Sequence, residues 1–178
     1  MEVLGEYTSL IENWTRLRVK EILYDSYKED MTPKEIDEKI VFHRQVILLV
    51  QTETHLFGSF IGTVIPHPEE TRSTAIESDS KHFIFSLQNK LNRPMRFEPG
   101  FNEEFTSLFV YGLFNKRNVV SCPNAFFINV GTNSYVTKKC FDYYLDPENV
   151  GAEIFADTVL PKRFAVKRLL FIQMTDEE

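Results

Sequence analysis

The two cysteines are the side chains of this sequence best suited to chemistry. Cys140 directly follows Lys138 and Lys139, and a thiolate near these lysines would have a lowered pKa and react faster with peroxide. Cys122 and Cys140 are therefore the candidate redox thiols, although the interpretation we favour for each is a small buried apolar residue. Two cysteines fit a reducing compartment better than a disulfide framework, so we expect both to remain free.

The histidines and carboxylates do not have the spacing of a metal or catalytic site. The histidines are His43, His55, His67 and His82, without an HExxH or comparable arrangement. The acidic stretch FDYYLDPEN, residues 141–149, contains a proline and lacks the central glycine of a standard calcium-binding loop. We predict a turn with solvated acids there, and no catalytic residue, metal ligand or cofactor site.

The stretch THLFGSFIG, residues 54–62, places two glycines among large apolar residues. A phosphate-binding glycine loop lies between a strand and a helix N-terminus, whereas this run continues into the strand-like residues 63–65. We therefore predict that Gly58 and Gly62 are structural and mark a bulge or a close backbone contact. Ser59 is wrongly placed for the nucleophile turn of a hydrolase.

Basic residues are densest in the segment PKRFAVKR near the end of the chain. Its four positive charges are Lys162, Arg163, Lys167 and Arg168. They are candidate contacts for an acidic protein surface, phosphoinositide head groups or nucleic-acid phosphate. The alternative is an edge strand whose charges prevent pairing with other chains. In a regular strand Lys162 and Arg168 would share one face and Arg163 and Lys167 the other, so one dense patch is not guaranteed.

Composition predicts one globular domain over residues 1–178. The chain is 43% hydrophobic with a formal net charge of -6, which argues against a protein built mainly to coat nucleic acid. The N-terminus lacks a signal peptide, and no apolar run approaches the ~20 residues needed to span a bilayer. These features predict a soluble, cytoplasmic protein.

Two helices are predicted before the periodicity changes. The segment TSLIENWTRLRV, within residues 1–20, has helical apolar spacing and a capping box formed by Ser9 and Glu12. The segment MTPKEIDEKIVF has Thr32 as N-cap, Pro33 at the first helical position and Glu35 completing the box.

A series of strands follows. QVILLVQ predicts a strand buried on both faces, which forms a hairpin with HLFGSFIGTVI. Alternating apolar residues predict strands in KHFIFSLQ, SLFVYGLF and AFFINVG, and FAVKRLLFIQM predicts a closing strand. The polar stretch 66–81 is predicted to be a long loop that is functional or mobile. This order favours an α+β fold, a two-sheet antiparallel β-sandwich with helices packed at its flank.

The succession of segments from about residue 21 to residue 174 resembles the TLDc family of oxidation-resistance proteins. The segments that carry the resemblance are ILYDSYKEDMTPKEIDEKI, VILLVQTETHLFGSFIG, HFIFSL and FAVKRLLFIQM, with a weaker match in KKCFDYY. The family's glycine-rich run shrinks here to Asn129 and Gly131, its His-Gly pair is not evident, and Phe171-Ile172 stands where Trp-Gly-Phe is common. The chain is therefore similar to a divergent member.

The resemblance implies a two-sheet sandwich without a settled enzymatic activity. It implies a protein-interaction domain in oxidative-stress response or membrane traffic, with vacuolar proton pump subunits as partners and peripheral contact with membranes. One alternative is a nucleic-acid-binding, partly nuclear regulator that uses the dibasic clusters, which are Lys116-Arg117, Lys138-Lys139, Lys162-Arg163 and Lys167-Arg168. A second is a hydrolase or a peroxide-reactive thiol enzyme.

Overall fold

The computed structural model describes residues 4–100 and 105–178, and this part of the chain forms three α-helices and eleven strands. The helices are α1 (Thr8–Thr15), α2 (Pro33–Ile40) and α3 (Cys140–Tyr143). The strands are β1 (Arg18–Asp25), β2 (Val46–Gln51), β3 (Leu56–Ile61), β4 (Thr74–Ile76), β5 (Phe83–Gln88), β6 (Met95–Phe97), β7 (Leu108–Val110), β8 (Asn118–Cys122), β9 (Phe126–Asn129), β10 (Tyr135–Val136) and β11 (Arg168–Thr175).

The strands form two antiparallel sheets. Sheet A has the order β1-β11-β2-β3-β5-β6, and sheet B has the order β10-β9-β8-β7-β4. Strands β2 and β3 are the predicted hairpin, with Leu49 opposite Gly58. The predicted α+β fold with two antiparallel sheets and few helices is confirmed.

Strand β2 lies at the centre of sheet A and is buried on both faces. Leu48 and Val50 contribute to the core between the sheets, while Ile47 and Leu49 belong to a second core on the other face of sheet A. This double burial explains the continuous apolar run in the sequence, since a strand covered on one side only would alternate with polar residues. The prediction for β2 is confirmed.

The N-terminal segment contributes to the second core. Ile11 of α1 is fully buried there, and the Trp14 ring packs against the ring of Phe83 at a centroid distance of 6.1 Å. The helix is shorter than predicted: it ends at Thr15 because Arg16 adopts a left-handed conformation with φ 60°. Within residues 1–20, the helix therefore covers only Thr8–Thr15, and β1 already begins at Arg18.

The predicted capping box of α1 is wrong. A 3₁₀ turn at Gly5–Tyr7 leads directly into the helix, so Ser9 lies inside the first turn instead of before it. The Glu12 carboxylate instead accepts a hydrogen bond from the Val19 amide at 3.0 Å and ties α1 to β1.

Helix α2 begins at Pro33 as predicted, but Glu35 does not complete the box, because the Thr32 amide donates to the backbone carbonyl oxygen two residues earlier at 3.0 Å. The Thr32 hydroxyl accepts a hydrogen bond from the Glu35 amide at 3.3 Å, and Pro33 follows at the first helical position. Ile36 and Ile40 are fully buried in the core between the sheets. The N-cap and the apolar face are confirmed.

Several short or irregular elements differ from the sequence-based expectations. The segments of β4, β6, β8 and β10 carried no strand prediction, because each is too short or irregular to show a clear alternation. Strand β4 lies within the predicted loop 66–81, so that prediction is wrong for Thr74–Ile76. The closing strand begins at Arg168, and the assumption of a regular strand through residues 162–168 is also wrong.

Gly58 lies in the middle of β3, between β2 and β5. A Cβ atom at this position would overlap the carbonyl oxygen of Leu48 and lie 3.0 Å from the ring of Phe85. Gly62 follows the strand, and its amide donates to the Asp79 carboxylate at 2.8 Å. Both glycines thus sit where backbone or side-chain atoms approach closely.

Candidate functional site: the outer face of sheet B

Both cysteines are free and lie in the core between the sheets. Burial raises the pKa of Cys122 to about 12 and that of Cys140 further still. The prediction that Lys138 and Lys139 lower the pKa of a nearby thiol is wrong. Desolvation of the thiolate has a larger effect than the nearby exposed ammonium groups. At neutral pH both thiols are protonated, and a peroxide-reactive thiolate has no basis here.

Cys122 ends a buried hydrogen-bond chain that includes His82 and Tyr144. His82 Nδ1 donates to the carbonyl oxygen of Phe60 at 2.8 Å, so Nε2 accepts from the Tyr144 hydroxyl at 2.7 Å. Cys122 Sγ lies 3.3 Å from the same hydroxyl oxygen and can donate to it. Burial lowers the pKa of His82 to about 4, which keeps the ring neutral. The imidazole lone pair is thus occupied, and the chain joins both sheets.

The other histidines and acids also have local roles. His55 Nδ1 lies 2.7 Å from the Thr54 hydroxyl, and the Asp146 carboxylate accepts from the Val150 and Gly151 amides at 2.9 Å. Within residues 4–100 and 105–178, no three His, Cys, Asp or Glu side chains come together to hold a metal ion. No helix in these ranges has the length and apolar character to cross a membrane.

The four basic residues of the segment 162–168 do not form one patch. Arg168 forms a two-point ion pair with Asp25 at 3.0 and 2.7 Å, and Asp25 is only 3% exposed. Lys167 Nζ lies 3.9 Å from the Glu53 carboxylate at the β2–β3 turn. Lys162 and Arg163 are exposed, and Arg163 points to sheet B instead.

Replacing Arg168 with Met should lower the free energy of unfolding by about 2 kcal/mol at neutral pH, since the buried Asp25 carboxylate loses its charged partner. The Arg168 hydrogen bonds lower the pKa of Asp25. Their stabilisation is therefore present at neutral pH and lost as the pH falls below the ordinary carboxyl range of about 4. Urea unfolding at pH 7 and pH 3.5 measures the difference, and an equal loss at both values would contradict it. Lys162→Met is the exposed control.

Sheet B presents aromatic side chains on its outer face. Leu108 and Val110 of β7 are in the core, so the alternating Phe109 points outward. Phe109 lies opposite Ser121, Ser121 opposite Phe127, and Phe127 opposite Tyr135. We call Phe109, Phe127 and Tyr135, which remain partly exposed, the aromatic row. The alternating apolar residues that predicted a strand in SLFVYGLF include Phe109, and they therefore lie on the outer face of sheet B.

An open groove of about 550 Å³ continues the aromatic row at Tyr135. We call it the arginine groove, and its main lining residues are Arg117, Asn118, Asn129, Asn133, Tyr135 and Arg163. Two guanidinium groups and no carboxylate line it among the described residues. Although the chain has a net charge of -6, the groove is locally positive and can bind an anionic group.

Arg163 is held in place before any ligand arrives. Its Nη1 donates to the carbonyl oxygen of Asn133 at 2.7 Å, and its guanidinium carbon lies 4.9 Å from the centre of the Tyr135 ring. The Tyr135 ring in turn stacks on Phe127 at 4.7 Å. A guanidinium fixed in this way loses less side-chain entropy when it binds an anion.

Arg117 reaches the groove from the opposite side. The Asn115 side chain accepts hydrogen bonds from the Arg117 and Asn118 amides at 3.0 and 2.9 Å, and these bonds fix the entry into β8. The Val130 amide donates to the Arg117 carbonyl oxygen at 3.0 Å. Arg117 thus lies on the β8 side of the β9–β10 hairpin, whereas Arg163 lies on the β10 side.

The four basic residues of segment 162–168 were predicted from sequence as candidate contacts. Of these four, only Arg163 lies in the groove. Arg117 belongs to the basic pair Lys116-Arg117, which entered the sequence-based interpretation only as one of the clusters of the nucleic-acid-binding alternative. The aromatic row was missed as a surface because apolar alternation does not say which of two faces is buried. The outward positions of β7 and β9 are apolar as well.

Comparisons with known proteins assign neither a family nor a function to this chain. Neither a family model nor a curated protein matches this sequence. The TLDc resemblance therefore remains a prediction, and the outer face of sheet B is the feature of the molecule that points to a function.

Proposed function

We propose that this chain is a TLDc-like protein-interaction domain that binds an acidic partner through the outer face of sheet B. The observation that carries the proposal is the continuity of the aromatic row with the arginine groove at Tyr135. Protein interfaces are enriched in aromatic residues and arginine, and a few such residues carry most of the binding energy. A partner would cover Phe109 and Phe127 and place its carboxylates or other anions against Arg117 and Arg163.

The TLDc resemblance supplies the biological setting of this proposal. It supports a role in oxidative-stress response or membrane traffic, in the cytoplasm or at membrane surfaces. Vacuolar proton pump subunits are the first partners to test. The buried, protonated thiols favour binding over peroxide chemistry as the function.

Single substitutions on the outer face of sheet B should weaken partner binding while the fold is retained. We expect Phe127→Ala and Arg163→Gln each to weaken binding about thirtyfold, the effect of losing about 2 kcal/mol at an interface. Phe42→Ala is the matched control, because Phe42 is an exposed aromatic residue outside this face. The measurement is quantitative mass spectrometry of proteins retained from native lysate, followed by titration of each identified partner and of purified pump subunits.

Salt dependence separates this proposal from nucleic-acid binding. A protein partner held by apolar area and a few ion pairs should lose less than about tenfold in affinity between ~50 and ~200 mM salt. Nucleic acid that engages six or more phosphates would lose orders of magnitude over the same range. Tight DNA binding with that steep loss, abolished by Arg163→Gln, would overturn the proposal, as would a set of retained proteins unaffected by both substitutions.

A further inference from the structure

We propose that the arginine groove recognises a phosphorylated serine or threonine in an extended segment of the protein partner. This inference rests on the proposed function and names the anion that the groove selects. Three observations support it: the number of charges in the groove, the prior placement of Arg163, and the occupation of two backbone carbonyl oxygens of the β9–β10 hairpin.

The charge of the groove matches a phosphate monoester better than a carboxylate. Arg117 and Arg163 contribute two positive charges, and no carboxylate lines the groove within the described ranges. An Asp or Glu side chain brings one negative charge and two oxygens, enough for one guanidinium. A phosphorylated side chain carries about -1.5 to -2 at neutral pH and three acceptor oxygens, so it can engage both.

The groove offers hydrogen-bond donors from two guanidinium groups, and those of Arg163 are held in a fixed arrangement. Arg163 uses one N–H on the carbonyl oxygen of Asn133 and is placed over Tyr135, so its remaining donors are available in a defined plane. Arg117 is exposed and makes no side-chain hydrogen bond or ion pair with the described residues, so its five donors are available to a ligand. Two guanidinium groups of this kind are the usual means of binding a phosphorylated segment.

Two backbone carbonyl oxygens of the β9–β10 hairpin already accept hydrogen bonds from neighbouring side chains. The carbonyl oxygen of Asn133 accepts from Arg163 and also from Asn129 Nδ2 at 3.0 Å. The carbonyl oxygen of Val130 accepts from Asn133 Nδ2 at 3.2 Å. These two oxygens are therefore occupied by donors of the protein, which favours a ligand that brings acceptor oxygens over one that must donate to them.

Stacking contacts at Tyr135 favour a phosphorylated segment over single-stranded nucleic acid. The Phe127 ring stacks on Tyr135 and the Arg163 guanidinium lies over the same ring, so both occupy ring surface that a base would need. A phosphodiester also carries one negative charge, not two. A phosphorylated side chain needs no stacking surface.

The test is a calorimetric titration of the whole chain with three seven-residue peptides that differ at the central position only: phosphoserine, glutamate or serine. We expect the phosphoserine peptide to bind roughly tenfold or more tightly than the glutamate peptide, and the serine peptide not to bind measurably. Arg117→Gln and Arg163→Gln should each weaken phosphoserine binding about tenfold. Arg163→Lys should weaken it severalfold, because lysine keeps the charge but lacks the planar fork.

Lys162→Gln is the matched control, since Lys162 is exposed and next to Arg163 but does not line the groove. Unchanged binding by this variant supports the inference, and thermal unfolding verifies that each variant is folded. Equal affinity for the glutamate and phosphoserine peptides would overturn the phosphate inference and leave the proposed function standing. Tighter binding of glucose 6-phosphate or of single-stranded DNA than of the phosphopeptide would overturn it too, as would the absence of phosphopeptide binding at millimolar concentration.

Discussion

At pH 8 the loss of the Asp37 charge should make the Asp37→Asn variant more stable than the unsubstituted protein by about 4 kcal/mol. The new asparagine amide adds a further contribution that does not change with pH. Asp37 is 2% exposed, and neither carboxylate oxygen has a hydrogen-bond partner. Burial raises its pKa from 3.8 to about 7. An ionised carboxylate without partners is costly inside a protein, and asparagine removes the charge.

The sign follows from the proton that the folded state retains. Between pH 4 and pH 7 the unfolded chain releases the Asp37 proton while the folded chain holds it, so rising pH favours unfolding. The cost grows from about 1.5 kcal/mol at pH 5 to about 4 kcal/mol at pH 8. The stability advantage of Asp37→Asn should therefore increase by about 2.5 kcal/mol over that range.

Urea unfolding of both proteins at pH 5 and pH 8 measures this increase directly. A constant offset from the asparagine amide cancels when the two pH values are compared. Glu38→Gln on the exposed side of the same helix is the control, and it should change stability by less than about 0.5 kcal/mol. If the advantage of Asp37→Asn is the same at both pH values, the Asp37 carboxylate does not have a raised pKa.

Gly58→Ala should destabilise the protein by at least about 4 kcal/mol or prevent it from folding. The added methyl group would overlap the carbonyl oxygen of Leu48, a backbone atom of the neighbouring strand. Leu48 and Phe85 are themselves fully buried, so neither can move without disturbing the core. The overlap can be relieved only by separating β2 from β3.

Ser59→Ala is the matched control for Gly58→Ala. Ser59 lies at the next position of β3, and its buried hydroxyl has no hydrogen-bond partner. Removing that hydroxyl should leave stability within about 1 kcal/mol of the original value. Thermal and urea unfolding compare the two variants, and a Gly58→Ala protein that unfolds at the same urea concentration as the original would contradict the packing of β2 against β3.

Local signals in the sequence were sufficient for the elements whose burial or capping depends on near neighbours in the chain. Thr32 and Pro33 specify the start of α2, because an N-cap needs only the first turn of the helix. The apolar run of β2 predicts a strand covered on both faces. The candidate site was predicted only in part, since Arg163 was identified and its neighbours were not.

Length, composition and periodicity alone determined a two-sheet α+β fold, its first hairpin and the start of its second helix. The tertiary structure decided which face of β7 is covered, because Leu108 and Phe109 are equally apolar and only the packed sheets distinguish them. It also brought Arg117 and Arg163 to one groove, through the pairing of β8, β9 and β10 and the bridge between Ser134 and Phe164. Desolvation likewise depends on what packs over a side chain, and this is why the raised pKa of Asp37 and of both thiols could not be predicted from neighbouring residues.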